Sequence, residues 1–312
     1  MNLKRILQWM CWSVAILLGG ILLVTTPGTV RAHIPYLETN PNPRIIPTTQ
    51  EVKVYFGHPH APETFYEGKD IWVEDATLYK PDGTSEKLEF QAEANNLTST
   101  VTLNQKGAYI ILVKMGPFVY DPAWHGTPGS VRLSENYAQV MIYTGGLENW
   151  DRVIGQGAEI VPLVNPYYLL EGEEFQAKFL YNGEPVRGSY AAAHEAKDIH
   201  DPDVAQMGET AEDGTFSITI TEPGMWLIKA EQIADESGVW EATWTPHEDW
   251  YAVGETLEYD RVKHQNTITV WAAPAAPAIE EVGVSGWTYA AFIIAIVALL
   301  IGVASLALKR RR

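Results

Sequence analysis

The chain has 312 residues, 46% hydrophobic and 20% charged, the make-up of roughly two folded domains rather than of a disordered or collagen-like chain. Its formal charge is −17, yet seven of its 22 basic residues, Lys4, Arg5, Arg31 and Lys309 to Arg312, sit in two short end segments. The other 15 face 39 acidic residues, a formal −24 for the middle. A surface this negative repels phosphate backbones, which argues against a nucleic-acid partner, and gathers cations. The only cysteine is Cys11, so disulfides, a thiolate nucleophile and Cys-ligated zinc or iron-sulfur sites are excluded from the remainder.

Residues 1–32 read as a signal peptide. Lys4 and Arg5 form the positive start, Trp12 to Val24 an apolar core, and Thr25-Thr26-Pro27-Gly28 a break before Val30-Arg31-Ala32. Cleavage after Ala32 makes His33 the first residue of the mature chain. At the other end, Trp287 to Leu308 carries no charge and at 1.5 Å per residue spans about 33 Å, enough for a bilayer core. Lys309 to Arg312 then form a cytoplasmic basic tail, which puts the main body on the periplasmic, extracytoplasmic side of the cytoplasmic membrane as a single-pass protein.

Between these ends the chain shows short β-branched and aromatic runs punctuated by Gly, Pro, Asn and Asp, with no sustained 3.6-residue pattern. Strands are expected at Glu51 to Phe56, Ile71 to Tyr79, Val101 to Leu103, Ala108 to Lys114 and Ala138 to Tyr143, with a turn at Lys80-Pro81-Asp82-Gly83. Further on, Phe175 to Tyr181 enters the tight-hairpin signal Asn182-Gly183 and leads toward Ser189 to Ala193. Glu212-Asp213-Gly214 turns into Phe216 to Ile220, Glu222-Pro223-Gly224 into Trp226 to Ala230, and Thr267 to Trp271 is the last strand. The expected fold is all-β, with two β-sandwich domains of immunoglobulin-like or transthyretin-like type at 33–150 and 151–272. An Ala/Pro linker at 273–286 leads to the transmembrane helix at 287–308 and the tail at 309–312.

Histidines carry the candidate chemistry. In Gly57-His58-Pro59-His60, alternate residues of an extended segment share a face, so His58 and His60 present two imidazoles to one cation. His33, once amino-terminal, adds its amine and its ring nitrogen, a chelate suited to nickel(II) and copper(II). The expected metal site is His33, His58 and His60, against the simpler view of a solvated turn. His194 and His200 fall in a polar loop at a spacing that fits neither a helix face nor a metalloprotease motif, and His125, His247 and His264 could join a site only through folding. No catalytic constellation stands out, so an enzyme is not expected. Asn96-Leu97-Thr98 matches a glycosylation acceptor, and Trp240, Trp244 and Trp250 cluster in sequence.

Several stretches carry a family resemblance. They are Ala32-His33, Tyr55-Phe56-Gly57-His58-Pro59, Tyr79-Lys80-Pro81-Asp82-Gly83, Glu159 to Tyr167, Leu180 to Val186, Ala211-Glu212-Asp213-Gly214 and Pro223 to Leu227. Together they make residues 33 to about 271 resemble a family of exported domains of unknown function that accompany nickel and cobalt uptake systems of the energy-coupling-factor type. The resemblance implies a periplasmic accessory that binds a nickel or cobalt ion and that partners integral permease subunits; copper is a third candidate through the amino-terminal chelate alone. His33 and His58 fall on matching positions; His60 is carried by its spacing alone. The competing class is a structural or adhesive surface module whose histidines are incidental.

Overall fold

The computed structural model describes residues 34–40, 45–60, 73–126, 128–146, 148–246 and 249–275. The signal segment 1–32, His33, the span 287–308 and the basic tail lie outside them. Among the described residues no helix is long and apolar enough to cross a membrane. The chain divides into two compact units, Met1–Pro274 and Ala275–Arg312, and every strand described belongs to the first.

The first strands are β1 (Ile34–Thr39), β2 (Thr48–Gly57), β3 (Val73–Tyr79), β4 (Ser85–Lys87), β5 (Gln91–Ala92) and β6 (Leu97–Leu103). Next come β7 (Gly107–Met115), β8 (Phe118–Tyr120), β9 (Arg132–Thr144), β10 (Ala158–Pro162), β11 (Glu174–Tyr181) and β12 (Glu184–Pro185). The last are β13 (Ser189–His194), β14 (Gln206–Glu209), β15 (Thr215–Thr219), β16 (Gly224–Ala234), β17 (Gly238–Glu241), β18 (Thr256–Tyr259) and β19 (Arg261–Ala272). The expected strands are present, most of them longer than the apolar runs that announced them. The all-β, sandwich-like expectation therefore holds.

The layers follow from burial pattern. β7 reads Ala108-Tyr109-Ile110-Ile111-Leu112-Val113, all buried, because its sheet is covered on both faces. That middle sheet has the order β14-β13-β16-β19-β9-β7-β3-β4, with β8 also paired to β9. Tyr109, Ile111 and Val113 pack with Leu37, Val52, Val54 and Val101 of the outer sheet β1-β2-β6-β5. Ala108, Ile110 and Leu112 point the other way, into a core with Phe175, Ala177 and Phe179 of β11 and with Phe216 and Ile218 of β15. β11 shows the pattern of a strand covered on one side: its phenylalanines are buried while Glu174 and Gln176, on either side of Phe175, are exposed. The middle sheet is continuous across residues 145–157, because β9 and β19 pair in parallel, Arg132 opposite Arg261 through Val140 opposite Thr269.

Two buried amides tie β10 to the middle sheet. Gln139 donates to the Ile160 carbonyl at 2.8 Å and accepts from the Ile160 amide at 3.1 Å, and Asn266 donates to the Ala158 carbonyl at 2.8 Å. They satisfy backbone groups on an edge that has no strand partner among the described residues. Asn182 and Gly183 both have positive φ, 52° and 83°, as the tight hairpin requires. The hairpin closes onto the two-residue β12, however, and β13 crosses to the middle sheet.

Gly214, at φ 77°, makes the turn into β15 with no room for a side chain: a Cβ there would overlap the Phe179 carbonyl oxygen. Gly214→Ala is therefore expected to cost about 1–3 kcal/mol from backbone strain alone. Urea denaturation that finds it as stable as the parent would contradict this.

Candidate metal centre

β2 ends at Gly57, whose φ of 152° a side chain rarely adopts, and the chain turns at once through His58-Pro59-His60. Facing it is the loop that follows β13. Two local devices shape that loop. The Asp198 carboxylate accepts the His200 amide at 2.9 Å, and the Asp201 carboxylate accepts the Asp203 amide at 2.9 Å. Between Asp198 and His200, Ile199 is buried with Ile34, Tyr36, Ala191, Ala193 and Leu227. The apolar anchor pins the loop, so the polar residues on either side of it are held against β2's end.

The result is a cluster of three imidazoles and a carboxylate. His58 is fully buried, and its Nδ1 lies 3.7 Å from the Asp198 carboxylate. The His58 ring is 5.4 Å from that of His60 and 5.2 Å from that of His200, nearly perpendicular to the latter. Ligand atoms of His58, His60 and Asp198 lie within 4.8 Å of one another. His60 Nδ1 is shielded from solvent and has no hydrogen-bond partner among the described residues. Partial burial opposes ionisation of Asp198, but the His200 amide and the neighbouring imidazoles outweigh it and hold the carboxyl below its ordinary range.

Of the residues expected at this site, the fold brings His58 and His60 together. His33 lies outside the described residues; Ile34, which follows it, pairs opposite Gly57. Asp198 and His200 are additions that spacing gave no reason to choose. The only sequence signal was their place in an Asp- and His-rich loop.

The remaining histidines do other work. In His194, Nδ1 accepts the Ala196 amide at 3.3 Å and Nε2 is 3.1 Å from the Pro223 carbonyl, so the ring braces the loop's base as the Nε2–H tautomer. His247 and the side chain of His125 are outside the described residues. His264 is buried, donates from Nδ1 to Glu135 at 2.8 Å and stacks on Tyr181 with ring centres 3.8 Å apart.

That bond from His264 is the main reason the Glu135 carboxyl lies below its ordinary range, against the opposing effect of burial. A depressed carboxyl contributes stability that is present above about pH 4.3 and lost as pH falls through the folded-state value. Glu135→Gln is expected to shallow the acid limb of a stability-versus-pH curve below about pH 5, measured by urea unfolding; an unchanged limb would contradict the pairing.

Two other features of the sequence take structural places in the fold. Asn96 is buried and donates to Asn95 at 2.9 Å, so the folded chain does not present a glycosylation acceptor there. Trp240 and Trp250 pack in a cluster with Val119, Ala242 and Tyr251, and Trp244 donates to the Pro117 carbonyl at 2.8 Å. These tryptophans are partly buried and pack against the body of the fold.

No curated protein matches the chain. Among solved structures, a DUF4785-family protein of Legionella pneumophila shares 9% identity over 62% of this chain and 51% of its own, with a TM-score of 0.23. A Corynebacterium diphtheriae protein described as membrane anchored shares 12% over 79% of this chain and 60% of its own, at 0.22. The major pilin subunit of Bacillus cereus shares 11% over 77% and 66%, at 0.17. The chain thus spans about half to two thirds of the length of these proteins. Residues 30–234 match the family model described as a domain of unknown function, DUF4198, and the chain belongs to that family.

Proposed function

We propose that this protein binds a divalent transition-metal ion outside the cytoplasmic membrane, anchored there by its C-terminal span, and serves as an accessory component of a nickel or cobalt uptake transporter. The observation that carries the binding is the convergence of His58, His60 and Asp198, with His200 beside them, from two elements 140 residues apart in the chain. Nitrogen-rich sets with one carboxylate suit nickel, cobalt, copper and zinc better than calcium or magnesium, which favour oxygen.

The donor set fits such an ion in kind, and in spacing it is slightly open. First-row ions hold nitrogen and oxygen at about 2.0–2.2 Å, so bound ligand atoms stand roughly 3–3.5 Å apart. Donors up to 4.8 Å apart are proposed to close that gap on binding. His33 is proposed as a further ligand because Ile34, to which it is bonded, sits opposite Gly57, one residue from His58. The transporter role is supported by the resemblance of the chain to periplasmic partners of nickel and cobalt uptake systems and by its acidic body, which gathers cations.

Calorimetric titration of the purified protein with nickel(II), cobalt(II), copper(II) and zinc(II) tests the binding. One equivalent of a first-row ion bound at micromolar or tighter affinity is expected. Absence of saturable binding for all four would leave a β scaffold without metal chemistry.

A further inference from the structure

Residues opposite one another in the β9–β19 pair point to the same face of the middle sheet, so Arg132, Ser134 and Asn136 stand beside Arg261, Lys263 and Gln265. β16 adds Glu231, opposite Gln265, and Lys229, opposite Thr267. Glu135 and His264, which alternate with these residues, belong to the other face. The polar cluster formed here shares no residue with the His58–His60–Asp198 site.

Its charge is unusual for so acidic a protein. Glu231 is met by Lys229 at 3.2 Å, while Lys263 and Arg132 act on it through space. Among the described residues neither Lys263 nor Arg132 forms an ion pair of its own. Instead Lys263 donates to the Gln265 side-chain oxygen at 3.0 Å, and the Arg132 guanidinium lies over the Tyr120 ring at 5.1 Å. Three cations thus share one carboxylate.

The cluster also holds donors with nothing to donate to. Asn136 Nδ2, Gln265 Nε2 and Arg132 Nε are shielded from solvent and lack a hydrogen-bond partner among the described residues. Asn136 and Gln265 are only 2% and 1% exposed. A buried N–H left unpaired carries the full desolvation penalty of that group, so three on one face mark a place built for an acceptor the fold does not itself supply. Lys229 and Glu231, with 12% and 19% of their side chains exposed, keep the cluster within reach of solvent.

We infer that Arg132, Asn136, Lys263 and Gln265 bind a small monoanionic carboxylate. Every open group is an N–H, so the ligand is an acceptor, and the cations beside them make it an anion. The Nε–Nη edge of a guanidinium takes the two oxygens of a planar carboxylate side by side. Glu231 stands close by and repels a dianion such as sulfate more than a single charge.

The test uses the metal-free full chain in detergent, with acetate as the probe, read by saturation transfer from the protein to the acetate methyl group. It is run at pH 6, below the value of about 7 to which burial brings Lys263. Saturable binding is expected, and Asn136→Leu and Lys263→Met should each weaken it about tenfold or more, because hydrogen bonds to a charged group are the strong ones. Glu231→Gln should tighten it, and Lys178→Met, on β11, should leave it unchanged. Asn136→Leu should also melt at or above the parent temperature, since it removes an unpaired donor and keeps the volume. Formate should displace acetate, and sulfate at matched ionic strength should not. Absence of saturable acetate binding, or unchanged affinity in both Asn136→Leu and Lys263→Met, would overturn the site. Displacement by sulfate as effective as by formate would overturn its assignment to a monoanion.

Discussion

His58→Ala is expected to lower the affinity for nickel(II) by at least about 100-fold, because losing even a hydrogen-bond partner outside a ligand set costs roughly 10–100-fold. His58 stands at the middle of the cluster, within 5.4 Å of both other rings and 3.7 Å from the carboxylate. Its fully buried ring also fills space, so His58→Gln, which keeps most of the volume, separates a lost ligand from a collapsed site. Asp198→Asn retains the shape of the loop, since its remaining oxygen still accepts the His200 amide, and removes only the charge. His58→Gln and Asp198→Asn should bind weakly while melting near the parent temperature, and His264→Gln, remote from the cluster, should bind normally. Unchanged affinity in both His58→Gln and Asp198→Asn would remove the site, and unchanged affinity after His33→Ala would take His33 out of it.

The second large effect is on stability. Glu231 lies on the middle sheet among Lys229, at 3.2 Å, Lys263 and Arg132. Burial disfavours its charge, yet Lys229 and Lys263 hold its carboxyl at about 2. Half-buried Lys263 is brought down to about 7 by desolvation, with Glu231 partly restoring it. Breaking a buried ion pair by removing one partner costs about 3–5 kcal/mol. Glu231→Gln is expected near the lower figure, about 3 kcal/mol, because Lys263 can shed its proton.

The sign of the pH effect follows from the same group. Its folded-state value lies below the ordinary 10.4 or so of a lysine, so the protonated side chain is penalised at low pH and stability rises as pH climbs from about 7 to 10.4. Removing Glu231 depresses Lys263 further. The deficit of Glu231→Gln should therefore be larger at pH 5 than at pH 9 in urea unfolding, and a deficit that is equal at both would count against the pairing.

Local pattern was enough for the strands and turns. Alternation in Phe175 to Tyr181, unbroken apolar runs such as Ala108 to Val113, and the glycines at 83, 183 and 214 each record a constraint acting over two to eight residues, and those elements are where the pattern put them. The all-β class, the acidic body and the absence of thiol chemistry are likewise properties of composition. His58 and His60 were visible because they are neighbours in the chain.

What composition and local pattern left open, the tertiary structure decided, because the contacts concerned join distant residues. The parallel pairing of β9 with β19 spans more than a hundred residues, and nothing in either strand names its partner. Asp198 and His200 looked like solvated loop because the feature that makes them otherwise is the burial of Ile199 against β1 and β16. His264, equally plausible as a ligand by type, is committed to Glu135 and Tyr181. Residue chemistry comes from the sequence, and only the packing of one strand end against another loop determines which of those side chains share a single point in space.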